Sequence, residues 1–387
     1  MAASIGPQHR KFPAEVVVIP YGFDPHLINA PLERITSRRL LSIPENAVVL
    51  CYIGRLSNCY KADLEPLLIA TKTLIGREPR VHLVIGGQDM LLEYAPSLME
   101  LSQELGLSQN VSIVPNFPPA LKPVLLAAAD IFVSPVDNIQ ETFGLALVDA
   151  MACGLPIVAS DWSGYREIIR HGETGFLVPT WQRKDYLSAI TSVEQLCDAT
   201  EKARFLAART VIDVQALSFF LGRLVADEHL RTQFGAEAKK IAYDQYLWRN
   251  IIVRLNALWA EQLKTLQSVR GQNIALLDLQ GWSDLGEIFG HYASDEISDH
   301  DLVSVSPEGF KHLMSLTFAY DTEGKRQAMR LAEEMGNRTL SWRDVVQGSF
   351  DRQEALMWLA KKGIVTVSSS RQSRGSTNQQ QTAVLSP

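Results

Sequence analysis

The sequence predicts an α/β fold: a doubly wound parallel sheet followed by a mostly helical C-terminal extension. Three observations carry that prediction. From Glu15 to about Pro179, short β-rich runs alternate with longer helical stretches. The short runs are almost continuously apolar, as strands buried on both faces must be. Gly54, Gly86 and Pro115 fall just past the ends of such runs, on the carboxyl edge where open α/β sheets bind ligands.

Taken in order, the strands are Val48–Ile53 (VVLCYI), Val81–Ile85 (VHLVI), Val111–Val114, Ile131–Ser134 and Ile157–Ala159. Helices between them are expected over Asp63–Ile75, Leu91–Leu105, Lys122–Ala128 and Leu145–Cys153. Strands interleaved with helices make βαβ units, and hence a parallel sheet. Gln182 to about Leu266 reads as helix-rich. Within it, Tyr243–Leu263 is expected to be one long helix, with Leu247, Trp248, Ile251, Ile252, Leu255, Leu258 and Trp259 on one broad apolar face. Ser268–Gln272 forms a weak linker. Residues 273–367 read as a helical accessory unit, with Arg326–Gly336, Ser341–Gln347 and Arg352–Lys362 as helices and Ile364–Val367 β-like, in a small helical or winged-helix arrangement. The tail from Ser368 is polar and poor in bulky residues, the composition of a disordered segment.

A chain of 387 residues is long enough for two or three domains. A formal charge of -6 speaks against a protein built to coat nucleic acid, and no nucleic-acid partner is expected. Four scattered cysteines form no CxxC and no zinc pattern, which fits a reducing compartment. Met1–His9 has no basic start followed by an apolar run, and the apolar stretch Val124–Val136 is broken by Asp130 and Pro135. The expectation is a cytoplasmic chain, at most peripheral to a membrane.

The strongest chemical signal is Glu141–Ser160, ETFGLALVDAMACGLPIVAS. An acid precedes an aromatic–glycine step, a helix follows, and Asp149 stands eight positions after Glu141. A helix begun at Thr142 or Phe143 points free N–H groups and a positive dipole end at the sheet edge, a ready phosphate site. Gly144 allows close approach of a ligand to the backbone. Eight helical residues span about 12 Å, the reach from a hexose to a ribose across a diphosphate. A second signal is Gly54-Arg55-Leu56 after a strand, followed by Lys61. Weaker ones are the Gly86-Gly87-Gln88-Asp89 turn and Asn116-Phe117. Asp161–Glu167 (DWSGYRE) and Thr174-Gly175-Phe176 read as scaffold, with Gly164 and Gly175 in turns. Asp130, Asp137, His82 and His171 are assigned no chemistry. GxxxxGK[ST], GxGxxG and GxSxG are absent from the sequence.

The Glu141–Ser160 segment resembles the donor-site signature of glycosyltransferase family 4, retaining enzymes of the GT-B fold, which pair two Rossmann-like domains. That pattern is Glu, seven residues, Glu, then Ala-Met-Ala-x-Gly-x-Pro-x-Val-Ala-Ser; here the second acid is Asp149, one methylene shorter. The resemblance implies that Glu141 meets the transferred sugar and Asp149 the nucleotide ribose. Phe143, Gly144 and Leu145 then line the donor site. Gly54-Arg55-Leu56 with Lys61 resembles the family's Gly-Arg-Leu…Lys element, in which both cations face the diphosphate; here Ala62 follows the lysine and SNCY lengthens the loop. Gly86 and Gly87 resemble the turn below the donor, and Asn116-Phe117 sits where backbone groups read the base. No DxD motif is evident within residues 15 to 265, so neither a metal nor a cofactor is expected beyond the nucleotide diphosphate sugar.

The resemblance covers roughly residues 15 to 265. Val17–Asp24 (VVIPYGFD) resembles the segment entering the donor domain from the hinge, with only about fifteen residues before it; an acceptor domain needs roughly one to two hundred. The expectation is therefore a donor half (15–265) after a short remnant (1–14), missing its acceptor domain. It is read as a truncated product, as one subunit of a split enzyme with a separate acceptor-domain polypeptide, or as a non-catalytic nucleotide-sugar binding module. The acceptor is a sugar, a lipid-linked glycan or a small molecule. The helix around Trp248 resembles the one that packs against the second domain, and its face should be partly exposed.

Overall fold

The computed structural model describes residues 17–28, 32–89, 94–183, 199–268, 290–307, 309 and 322–369. Its centre is a six-stranded, wholly parallel sheet in the order β3-β2-β1-β4-β5-β6. The strands are β1 Val48–Ile53, β2 Val81–Gly87, β3 Val111–Pro115, β4 Ile131–Ser134, β5 Ile157–Ser160 and β6 Gly175–Val178. Five of these were expected. The sixth, GFLV, is too short to show a period and opens on a glycine that reads as a turn. Gly175 is instead a strand residue: a Cβ there would lie 2.0 Å from the Ile157 carbonyl oxygen, so only glycine lets β6 close on β5.

Both faces of the sheet are buried, as a parallel sheet requires. Along β1, Val49, Cys51 and Ile53 enter one core and Val48, Leu50 and Tyr52 the other. The first face is covered by α1 Pro25–Ile28, α2 Arg34–Leu40, α5 Lys122–Ala128 and α6 Leu145–Ala152. The opposite face is covered by α3 Glu65–Ile75 and α4 Tyr94–Glu104. A short α7 spans Tyr165–Ile168.

Chain order reverses between β1 and β4. Brought to the carboxyl ends of those two strands, the segments Gly54–Lys61 and Pro135–Gly144 border the crevice where such sheets take ligands.

Beyond β6 the chain is helical, with α8 Ala199–Ala207, α9 Val214–Ala226, α10 Glu228–Gln245 and α11 Trp248–Ser268. Asp213 and Asp227 cap α9 and α10 by accepting from Ala216 N and Leu230 N, each at 2.9 Å. The helix expected over Tyr243–Leu263 is two helices that break at Tyr246-Leu247, where Phe23 N donates to the Tyr246 carbonyl at 2.8 Å. An exposed apolar stripe remains on α11, with Trp248 44% and Trp259 52% accessible. Of the expected linker, Ser268 closes α11 and the remainder lies outside the described residues, as does the tail beyond residue 369.

The C-terminal unit is helical as expected, with α12 Thr322–Met335, α13 Trp342–Val346 and α14 Phe350–Lys361, and it carries a sheet that periodicity missed. β10 Leu302–Val305 lies between β11 Thr339–Ser341 and β12 Val365–Ser368, antiparallel to both. Only the β12 region was read as β-like; the other two strands are four and three residues long, too short for a pattern to register. A separate core around Trp342, Leu356 and Leu359 holds this unit together. It is stitched to the first unit by a further small sheet, in which β7 Thr180–Gln182 pairs with β8 Thr210–Ile212 and β9 Asp295–Glu296.

Candidate functional site

The loop after β1 is shaped by crowding. Gly54 sits where a Cβ would lie 2.6 Å from the Tyr52 hydroxyl, and a Cβ on Gly87 would lie 1.6 Å from the Gly54 carbonyl oxygen. Two glycines therefore let β1 and β2 exit side by side. Leu56 N then donates to the Gln88 carbonyl at 2.8 Å, and buried Tyr52 donates from its hydroxyl to the Arg55 carbonyl at 3.2 Å. Arg55 is exposed and donates from Nη2 to the Tyr60 carbonyl at 3.1 Å. Lys61 is buried.

The segment after β4 meets that loop. Lys61 Nζ forms an ion pair with Glu141, joining residues 80 positions apart. Asn138 fixes the junction: it donates from Nδ2 to the Cys59 carbonyl, accepts on Oδ1 from Gln140 N at 2.9 Å, and its own carbonyl accepts from Trp162 Nε1 at 3.1 Å. Sequence reasoning did not single out Asn138; nothing local marks a residue whose partners are 79 and 24 positions away.

The helix begins at Leu145, the start of the expected Leu145–Cys153 span and two to three residues past the Thr142 or Phe143 start that the phosphate-site reading assumed. Gly144 is its N-cap, with φ of 97°, a left-handed conformation that glycine adopts without strain. Glu141 consequently stands in a turn before the helix, and the 12 Å estimate, which assumed eight helical residues, does not apply. Thr142 is held from beneath: a Cβ on Gly164 would lie 2.1 Å from its carbonyl oxygen, so Gly164, in a turn as expected, also serves close approach. Phe143 packs edge-on between Tyr21 and Tyr246, with centroids 5.7 and 6.1 Å away. Leu145 is exposed at the helix start.

Asp149 is buried on α6 and paired with Lys122 at the start of α5. No local pattern marks Lys122, which lies 27 residues away on another helix. Gly86 and Gly87 close β2, and a Cβ on Gly86 would lie 2.9 Å from the Phe117 ring. Asn116 is left-handed at φ 52°, and its N–H is already donated to the Gly87 carbonyl at 2.7 Å. Its side chain accepts from Asp89 N at 2.9 Å. Both groups thus tie the chain leaving β3 to the loop after β2.

The four residues assigned no chemistry have structural partners. Asp130 accepts from Arg38 at 2.6 Å, Arg34 at 2.9 Å and Val49 N at 2.7 Å. His82 pairs with Ser112 Oγ at 2.9 Å, and His171 Nδ1 accepts from Leu177 N at 3.1 Å. Asp137 faces Lys361 of α14, and burial pushes its carboxyl up to about 6 against that lysine's pull. Among the described residues no three His, Cys, Asp or Glu side chains are grouped to hold a metal ion, and no helix is long and apolar enough to cross a membrane.

Residues 33–208 match the family model described as glycosyl transferases group 1. Residues 33–208 are thus similar to the group 1 glycosyltransferases. The chain is 34% identical over 187 residues to the D-inositol 3-phosphate glycosyltransferase of Geodermatophilus obscurus, covering 47% of this chain and 40% of that protein. Against the enzyme of the same name from Corynebacterium aurimucosum it is 32% identical over 212 residues, covering 54% of this chain and 49% of that one. The aligned region thus spans less than half of either relative. Among solved structures, sucrose-phosphate synthase from Thermosynechococcus elongatus shares the fold, with a TM-score of 0.50, 22% identity, and coverage of 67% of this chain and 58% of that one.

Proposed function

We propose that this chain supplies the donor-binding half of a retaining, metal-independent hexosyltransferase that uses a nucleotide diphosphate sugar. The observation that carries the reading is the Lys61–Glu141 ion pair at the carboxyl edge between β1 and β4. An ammonium and a carboxylate facing each other at a ligand crevice satisfy one another until a ligand with complementary groups replaces both. A diphosphate takes the cation. Glu141 is then released to accept hydrogen bonds from sugar hydroxyls.

Arg55 is the second cation on the diphosphate, and the free N–H groups at the start of α6 add the positive end of a helix dipole. As the bond from sugar to diphosphate breaks, charge grows on the leaving phosphate oxygens. Fixed positive groups then bind the transition state more tightly than the ground state, and this lowers the barrier. Asp149 holds the ribose once Lys122 turns aside, and the base lies beside Asn116 and Phe117. The sugar lies near Phe143, Gly144 and Leu145, above the turn formed by Gly86 and Gly87. The acceptor, a sugar, a lipid-linked glycan or a small molecule, is bound by a second domain that packs near the apolar stripe of α11, within the same polypeptide or as a separate one.

Calorimetry with UDP-, GDP- and ADP-glucose tests the reading. One of the three is expected to bind, and Arg55→Ala is expected to weaken that binding by about 1.5–3 kcal/mol, roughly 10- to 150-fold in Kd. Binding of none of them, or unchanged affinity in the variant, sinks the assignment.

A further inference from the structure

We propose that Lys361 and Lys362, at the end of α14 in the C-terminal unit, are positioning residues for the donor crevice. The inference rests on the donor-site reading above for its functional half only. Lys361 Nζ pairs with Asp137 and donates to the Ala207 and Thr210 carbonyls at 2.9 and 3.3 Å. Lys362 Nζ pairs with Asp63 at 2.7 Å and with Glu65 at 2.5 Å. Both lysines are buried, with 8% of each side chain accessible.

Their partners sit on the two segments that form the crevice. Asp63 follows Lys61 by two residues, and Asp137 precedes Glu141 by four. The two acids are also tied to each other, because Asp63 N donates to the Asp137 carboxylate at 3.3 and 3.4 Å. Tyr94 completes the knot: its hydroxyl donates to Asp63 at 3.3 Å and accepts from Leu64 N at 2.6 Å. Two ammonium groups from one helix end thus clamp the roots of the Lys61 loop and the Glu141 turn. Three carboxylates this close and this dry repel one another unless cations sit among them. Without α14 the two roots would separate or draw in water, and the Lys61–Glu141 pair would lose its fixed spacing. The C-terminal unit therefore acts on the crevice without touching it.

The test compares the full chain with Lys361→Met/Asp137→Asn, which removes both members of one pair and is expected to fold, since no charge is left stranded. Lys362→Met is the second variant. Glu354→Gln is the control, because it weakens a different ion pair across the same seam, to Arg209. Hydrogen–deuterium exchange should rise at least tenfold over residues 57–64 and 134–141 in the two lysine variants and stay unchanged there in the control. The Kd for UDP, GDP or ADP, whichever the unsubstituted chain binds, should rise tenfold in the same two variants only. Unchanged exchange in those segments, or the same change in the control, overturns the inference. If the unsubstituted chain binds none of the three nucleotides, the donor-site reading falls and the exchange comparison alone decides the positioning role.

Discussion

At the scale of single residues, the crevice depends on atoms that are missing. Gly87 lies so close to the Gly54 carbonyl that a methyl group at 1.6 Å has no room, and the obstacle is backbone, which cannot rotate away. Gly87→Ala should therefore push β2 from β1 and cost about 3 kcal/mol, the upper end for overpacking. Urea unfolding measures this, and a loss under about 1 kcal/mol would show that the strand ends can spread. Gly144 makes a different demand: its left-handed φ turns the chain into α6 while a Cβ would strike Tyr165 at 2.5 Å.

At the scale of elements, β2 carries a built-in acid sensitivity. His82 lies inside the sheet layer against Ser112, and burial lowers its imidazole from the ordinary 6.5 to about 4. The folded protein holds the neutral ring, so a proton binds the unfolded chain more readily. The resulting stability is complete above pH 6.5 and is lost as the pH falls through about 4. A shift of this size corresponds to roughly 3 kcal/mol at most. Compared with the unsubstituted chain, His82→Gln should lose less stability between pH 7 and pH 4.5 in denaturant titrations. Parallel losses in the two proteins would mean that the imidazole titrates normally.

At the scale of the whole molecule, the two units are expected to unfold together, because their seam holds buried charge as well as the β7-β8-β9 sheet. Arg209 has 2% of its side chain accessible and pairs with Glu354 of α14 at 2.7 Å. Weakening that pair by Glu354→Gln should cost about 2 kcal/mol, within the range for a hydrogen bond to a charged group. It should lower the midpoint of a single thermal transition seen by calorimetry. Two separated transitions would instead show that the units are energetically independent.

The sequence by itself determined the sheet. Continuous apolar runs such as VVLCYI report burial on both faces, and that information is local. Five of the six central strands and four of the crossover helices were legible for this reason; Lys61 and Glu141, singled out by the resemblance, are brought together as an ion pair. The GFLV strand and the break at Tyr246 depend on close approaches between distant backbones, which leave only an ambiguous glycine or no mark in the sequence. The partners of the acids were decided by tertiary structure alone. Lys122, Lys361 and Lys362 lie between 27 and 299 residues from the acids they hold. A charge can be read from a sequence, but its partner is chosen by whichever opposite charge the fold buries beside it.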